Sequence, residues 1–327
     1  VIAVVKPGML CTVQDAGRTG HRASGLPVSG AMDRLALAAA NVLAGNGPGA
    51  AAVELTLTGG SWRFETSALA ALAGAELAAA LDGVALPPWG SFLAPAGSTL
   101  TFGAARTGVR TYLAVRGGIA VPQVLGSRST YTRARVGGLE GRALAAGDRL
   151  PVGRPRGRAP APRALEPGTV PPCGGGARLR VLLGPQRDRF TEQGVATFLG
   201  AAWRVTLQND RMGYRLEGPP VELRGGADIL TDPVLPGAVQ VSGNGLPIAL
   251  MLDAQTTGGY AKIATIVGPD LRLLAQARAG DEIRFGACDQ AEAVAALRAE
   301  RDWISRLARL AGGGGRAAPP GARRRGR

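Results

Sequence analysis

Short apolar or alternating runs, each bounded by Gly or Pro, recur along most of this chain. The clearest occupy residues 91–102, 111–115, 238–242, 248–252 and 263–267, and they predict β-strands. An A-G-D-x-apolar pattern over residues 146–152 reads as a turn feeding a closing strand. Helical periodicity is scarce. Residues 33–43 are Ala/Leu-rich, with Asp33 placed as N-cap and Gly45-Asn46 as the stop. Residues 189–199 and 269–277 are short helix candidates. Residues 289–310 open with Asp289 and Glu292 at capping-box spacing, and Val294, Leu297, Ile304, Leu307 and Leu310 recur along one face. Many short strands with few helices predict a mainly β protein made of barrel-like domains.

The pattern also repeats. Arg18-Thr19-Gly20-His21-Arg22-Ala23-Ser24-Gly25-Leu26-Pro27 and Arg211-Met212-Gly213-Tyr214-Arg215-Leu216-Glu217-Gly218-Pro219-Pro220 share the form R-x-G-x-R-x-x-G-x-P, and Gln14 and Gln208 precede them. Ala52-Val53-Glu54-Leu55-Thr56 answers Ala238-Val239-Gln240-Val241-Ser242, and the A-G-x-x-apolar-x-F-G run at 96–103 answers 279–286. Three blocks in one order imply an internal duplication. The expected layout is a first β-barrel domain over 1–152, a Pro/Gly/Arg linker over 153–176 and a second barrel over 177–288. A C-terminal helix over 289–311 and a disordered basic tail over 312–327 complete it.

Composition narrows the function classes. The net charge of +14 raises the question of nucleic acid, but most of it lies in the linker and the tail. No helix-turn-helix, zinc-finger or aromatic-basic stacking pattern accompanies it, so specific nucleic-acid recognition is not expected. Cys11, Cys173 and Cys288 stand far apart, which reads as free thiols in a reducing compartment; Cys11 lies in an apolar run and reads as core. No apolar run approaches the roughly 20 residues of a membrane span. Val1 to Gly8 carry no signal-peptide pattern, so the cytoplasm is the expected location.

The densest chemistry lies between Thr12 and Asp33. Gln14, Asp15, Arg18, Gly20, Ser29, Gly30 and Asp33 crowd a non-periodic stretch leading to a helix start, where amide groups and Arg18 suit an anion. The alternative is a turn-rich corner in which Asp15 and Arg18 merely pair with each other. A second dense stretch, Gln255-Thr256-Thr257-Gly258-Gly259-Tyr260, precedes Lys262. Lys6 and Lys262 are the two lysines among 38 basic residues, so Lys262 reads either as a required point charge or as an ordinary solvated lysine. Arg128 and Arg211 are further anion-holding candidates; for Arg128 a surface-loop role stays open. His21, the single histidine, reads as exposed or stacking rather than as a general base, which leaves no Ser-His-Asp arrangement. No phosphate-binding glycine loop, metal-ligand cluster or biotin-carrying lysine segment is present.

Taken together, T-V-Q-D-A-G-R-T-G from Thr12, G-L-P-V-S-G-A-M-D from Gly25, A-N-V-L-A-G-N from Ala40, L-G-S-R-S-T from Leu125, D-R-M-G-Y-R-L-E-G from Asp210 and Q-T-T-G-G-Y-A-K-I-A from Gln255 resemble the family of 5-oxoprolinase C subunits. That family is also called allophanate hydrolase subunit 2 or biotin-dependent carboxyltransferase. Ala261 stands where Pro is usual. The resemblance implies two tandem cyclophilin-like β-barrels and a role beside the A and B subunits in ATP-dependent opening of 5-oxoproline to glutamate. The chain is then expected to be inactive alone, with ATP used by the complex and no biotin attached. It implies Gln14, Asp15, Arg18, Asp33 and Lys262 as catalytic groups, with Gly20, Ser29, Gly30, Arg128, Arg211, Gln255, Thr256, Thr257, Gly258, Gly259 and Tyr260 around the substrate or its anion. Two alternatives remain: a carboxyltransferase component of a urea-type, biotin-dependent carboxylase, and a non-catalytic regulator that antagonises a kinase inhibitor.

Overall fold

The alternating runs become strands that pair antiparallel everywhere except at one closure. The computed structural model describes residues 1–174 and 176–312. The first half holds β1 (Ile2–Lys6), β2 (Leu10–Gln14), α1 (Arg34–Leu43), β3 (Ala52–Thr56), β4 (Ser61–Phe64), β5 (Ala68–Glu76), β6 (Ala79–Leu81), β7 (Val84–Ala85), β8 (Gly90–Ala94), β9 (Thr99–Phe102), β10 (Thr107–Val115) and β11 (Arg149–Leu150). They form a six-stranded sheet, β11-β1-β4-β9-β6-β7, and a five-stranded sheet, β2-β3-β10-β5-β8. The second half holds β12 (Arg178–Leu183), α2 (Glu192–Gly200), β13 (Trp203–Asn209), β14 (Gly213–Glu217), β15 (Asp228–Pro233), β16 (Ala238–Val241), β17 (Pro247–Leu250), β18 (Thr257–Tyr260), β19 (Lys262–Ile266), α3 (Leu271–Ala275), β20 (Glu282–Ala287) and α4 (Gln290–Gly312). Seven strands close a barrel in the order β12-β19-β16-β17-β14-β13-β20, sealed by parallel pairing of β12 with β20. β15 and β18 make a separate two-stranded ribbon.

The protein is thus mainly β with few helices, as expected, but among the described residues only the second half closes into a barrel. Each half has its own core. Val53, Leu55, Trp62, Phe64, Leu100 and Leu113 fill the first. Leu179, Trp203, Tyr214, Val239, Ile263 and Phe285 fill the barrel, where Phe198 of α2 stacks on Phe285 at 4.4 Å between ring centroids. Helix α1 is buried on every side except at Arg34. Its alanines let it lie close against Ala71, Ala73 and Ala114 of the five-stranded sheet, and a helix apolar on nearly every side belongs in a core. Asp33 caps it by accepting a hydrogen bond from Ala36 N at 2.9 Å. At the other end Gly45 takes φ +76° and ends the turn.

Several expectations need correction. The run 91–102 is two strands in two sheets, because Pro95 and Gly97, the latter at φ +87°, break it into a turn. The helix expected at 189–199 starts later, at Glu192, where Thr191 accepts from Gly194 N and caps it. The first R-x-G-x-R block is irregular with a short 3-10 turn, whereas the second block runs through β14. The other two repeated blocks do fold alike: β3 and β16 match, and turns at Gly97 and Gly280 lead into β9 and β20.

The capping box of α4 forms reciprocally between Asp289 and Glu292 at 2.8 and 2.9 Å. Its buried stripe, however, is Ala293, Ala296 and Leu307, with Leu297 and Leu310 exposed. The tail expected from residue 312 lies outside the described residues beyond Gly312. No helix among the described residues is long and apolar enough to cross a membrane.

Helix α4 closes the core over α1 through Leu307 and half-buried Trp303, whose ring meets Trp89 edge-on at 6.2 Å. Leu307→Ala is therefore expected to cost about 2–4 kcal/mol in urea unfolding. Leu310→Ala, at a position 66 % exposed, should cost less than about 0.5 kcal/mol. Equal losses in the two variants would mean that α4 does not cover the core.

Candidate functional site

A buried ionic network joins the two halves. Glu54 stands in the middle of β3 among apolar neighbours and is 1 % exposed. Its carboxylate accepts from Arg211 Nη1 at 2.6 Å, Tyr112 OH at 2.6 Å and Met32 N at 3.0 Å, and lies 3.8 Å from Arg110 Nε. Arg211 also donates to Asp253 at 2.8 and 3.2 Å and to Gly30 O at 2.7 Å. Arg110 donates to Tyr214 OH at 2.8 Å and to Ala275 O. Gln276, fully buried, accepts from the backbone N–H groups of Val109 and Arg110 and donates to Asp33 Oδ2 at 2.9 Å.

Two guanidiniums thus balance two carboxylates. Burial pushes the Glu54 carboxyl up, but Arg211, Arg110 and its hydrogen bonds outweigh that and hold it below the usual carboxylate range. Burial likewise opposes the charge on Arg211, yet Asp253 and Glu54 keep it raised. Asp33 goes the other way. Burial raises it despite donors from Gln276 and Ala36.

The corner predicted around Arg18 exists, but its groups face the protein. Asp15 accepts from Gly17 N, Ser127 Oγ, Ser129 Oγ and Arg128 N, and so pins the loop over 127–130. Arg18 is 1 % exposed and donates to Val124 O and Ser129 O. Asp15 and Arg18 form no ion pair with each other among the described residues, so the turn-rich corner in which the two merely pair is not what the structure shows. Burial lowers the Arg18 guanidinium pKa. Gln14 donates to Thr12 Oγ1 and Thr130 O. Arg128 Nε donates to Val121 O. Ser29 is fully buried at φ +52°, and its Oγ has no partner among the described residues. Gly30 must be glycine, since a Cβ there would meet Gly17 Cα at 2.8 Å. Gly20 is exposed with open space around it. Arg211, read as an anion holder, has every guanidinium nitrogen engaged by protein. Cys11 is core, and burial pushes its thiol up to about 11.

The open chemistry lies on the outer face of the barrel. Arg215 pairs across to Ile248, Ile248 to Gln240, and Gln240 to Lys262, and directly paired residues share a face. Their neighbours Tyr214, Ala249, Val239 and Ile263 point into the core. The row borders a groove of about 550 Å³ that also takes in Gln255, Gly258, Gly259, Tyr260 and, from the first half, Arg133. A second hollow of about 560 Å³ adjoins it. That hollow contains none of the predicted site residues, so the candidate site is placed in the first.

Arg215 has no ion pair among the described residues, while Arg133 lies 3.3 Å from Asp210 with both side chains more than half exposed. Lys262 ends the row beneath the ribbon, 4 % exposed, with Nζ 2.6 Å from Asp232; Gln186 bridges the two. It is neither solvated nor a wall of the groove. Thr256 O holds Val234 N, and Thr257 belongs to the ribbon strand.

A family model described as the carboxyltransferase domain, subdomain A and B, matches residues 24–287. The C subunit of 5-oxoprolinase from Escherichia coli is 42 % identical over 310 residues, covering 94 % of this chain and 98 % of that protein. The chain belongs to the family of 5-oxoprolinase C subunits. The corresponding protein of Haemophilus influenzae is 36 % identical, covering 91 % of this chain and 95 % of that protein. The crystal structure of K. lactis urea amidolyase matches at TM-score 0.88 and 29 % identity over 94 % of this chain, which spans only 20 % of that longer polypeptide.

Within this family member, sequence reasoning missed Glu54, Arg110, Tyr112, Tyr214, Asp253 and Gln276 as one unit, and Arg215 and Gln240 as groove walls. A signal was available. Glu54 and Arg110 are lone charges inside otherwise apolar strands, where burial demands a partner.

Because Glu54 is depressed, its contribution to stability is complete above the unfolded carboxyl pKa of about 4.3 and is lost as pH falls through the lower folded value. Asp33 has the opposite sign: ionising it costs stability at neutral pH, and acidification relieves that cost. Glu54→Gln should cost about 3–5 kcal/mol at pH 7 and flatten the fall in urea stability below about pH 4. An unchanged acid limb would remove Glu54 from the centre of the network.

Proposed function

We propose that this chain is one component of an ATP-dependent 5-oxoprolinase, working with the A and B subunits in the cytoplasm to open the lactam of 5-oxoproline to glutamate. The observation that carries this reading is end-to-end correspondence with relatives named as C subunits of 5-oxoprolinase. The urea amidolyase match covers only a fifth of that polypeptide.

A lactam is a poor electrophile. Transfer of the γ-phosphoryl group of ATP to its oxygen releases ADP and activates the carbon; water adds there, the ring C–N bond breaks as the nitrogen takes up a proton, and hydrolysis of the resulting acyl phosphate releases phosphate and leaves glutamate. Negative charge develops at oxygen in these steps, and fixed cations or amide donors stabilise it. Arg215, free of a carboxylate partner among the described residues, is the group on this chain best placed to meet that charge, with Arg133 beside it. Asp15, Arg18, Asp33 and Lys262 act in this reading as positioning residues, since their polar groups engage protein atoms, and so does Gln14 through its amide nitrogen, although its Oε1 has no partner among the described residues. ATP is consumed by the assembled complex, and biotin is not attached to this chain. We further read the two halves as copies of one cyclophilin-like module, bounded at residues 152 and 177. The first copy has opened into two sheets; the two repeated blocks that fold alike support this.

A second reading follows from the carboxyltransferase family model. In it the groove takes a urea-like amide and meets carboxybiotin delivered by another protein. Assays with the A and B subunits, ATP and 5-oxoproline, set against urea plus carboxybiotin, separate the two. The chain alone is expected to be inactive and the complex to turn over 5-oxoproline; turnover by the isolated chain contradicts the reading of a shared activity. Arg215→Ala should lower kcat/KM about tenfold to a hundredfold at unchanged melting temperature, the value of one charged hydrogen bond. Arg18→Ala should instead lower the melting temperature. The reverse pattern would return the anion site to Arg18.

A further inference from the structure

The row Arg215–Ile248–Gln240 contains an acceptor that the protein leaves unused. Gln240 is 2 % exposed, and its side chain borders the groove. Its amide nitrogen lies 3.2 Å from Tyr260 O. A backbone carbonyl only accepts, so this contact fixes the amide with nitrogen toward Tyr260. Oε1 then has no protein donor among the described residues and is not among the buried unpartnered atoms, so it stays open to solvent and to a ligand. Gly258 makes room for this arrangement, because a Cβ there would meet Gln240 Nε2 at 2.6 Å. Thus Gly258, one of the predicted site residues, serves Gln240 rather than an anion.

We infer that Gln240 is the specificity-determining residue of the groove, with Oε1 accepting the ring N–H of a lactam whose carboxylate lies on Arg215. Two strand spacings separate the backbones of Gln240 and Arg215, about 10 Å, and both side chains rise from the same face. Partly buried Ile248 lies between them as an apolar floor. That spacing lets the long Arg215 side chain reach across Ile248 toward Gln240, which suits a compact ligand whose carboxylate and amide N–H sit on neighbouring atoms, with its ring methylenes over Ile248. 5-Oxoproline has all three. The inference rests on the function proposed above and adds which atom reads the lactam.

The test uses the assembled complex, measuring kcat/KM for 5-oxoproline and inhibition by two analogues that lack the N–H: N-methyl-5-oxoproline and the ring-oxygen lactone acid. The wild type should favour the lactam over both by about tenfold to a hundredfold. Gln240→Leu should lose that preference and a similar factor in kcat/KM. Gly258→Ala should do the same with only a small change in melting temperature, because its new methyl displaces chiefly the Gln240 amide end, with Val234 Cγ1 at 3.3 Å yielding slightly, and its backbone φ is not in the left-handed region. Persistence of the preference in Gln240→Leu and Gly258→Ala, or its absence in the wild type, overturns the inference while the proposed function stands. A complex that does not open 5-oxoproline at all overturns that function and the named ligand together.

Discussion

The rest of the structure depends on one carboxylate without access to water. Glu54 sits in the five-stranded sheet of the first half, and its strongest partner, Arg211, comes from the second half. A buried ion pair adds little net stability compared with apolar packing, because desolvation offsets most of the Coulomb attraction. It does add registration. Any slip between the halves strands a charge, and stranding one costs several kcal/mol. Arg110, Tyr214 and Gln276 complete the same device across the interface, filling hydrogen-bonding sites that a shift would leave empty, while Tyr112 and Asp253 hold Glu54 and Arg211 in place from within their own halves. Because Arg211 lies just before β14, the register that it fixes also sets Arg215 and the groove row.

The repeated blocks show how one position serves two ends. Glu54 and Gln240 occupy matching places in the blocks 52–56 and 238–242. In the first half the residue is charged, points into the interface and is neutralised by arginines. In the second it is a neutral amide on the outer face of a closed barrel, with one polar atom left over. A carboxylate at 240 would face Tyr260 O and repel it, so an amide suits that place. The chemistry of the pair therefore follows from what each strand packs against rather than from the block itself.

Much of the local structure was legible in the sequence because local rules govern it. Asp33 before an Ala/Leu run announced the cap of α1, the Asp289–Glu292 spacing marked the start of α4, and strand periodicity located most of β10, β16, β17 and β19. The predicted corner at Gln14, Asp15 and Arg18 is real, but its chemistry was misread. The partners of Arg18 are backbone carbonyls at Val124 and Ser129, far along the chain, and no residue type announces a carbonyl. The same holds for the two R-x-G-x-R blocks. The second block is drawn into the barrel by pairing with β17, while the first has no strand beside it and stays irregular. Arg215 and Gln240 were hidden for a related reason: only cross-strand register aligns them, and register depends on the whole barrel.

The central claim is that Glu54 and Arg211 act as one unit in registering the two halves. A double-mutant cycle measures this most directly, comparing urea unfolding free energies of Glu54→Gln, Arg211→Gln and the double variant at pH 7. If the claim holds, the double variant is less destabilised than the two single losses added together, with a coupling of about 1.5–3 kcal/mol. Additivity within about 0.5 kcal/mol would contradict it, leaving the two charges as independent neighbours.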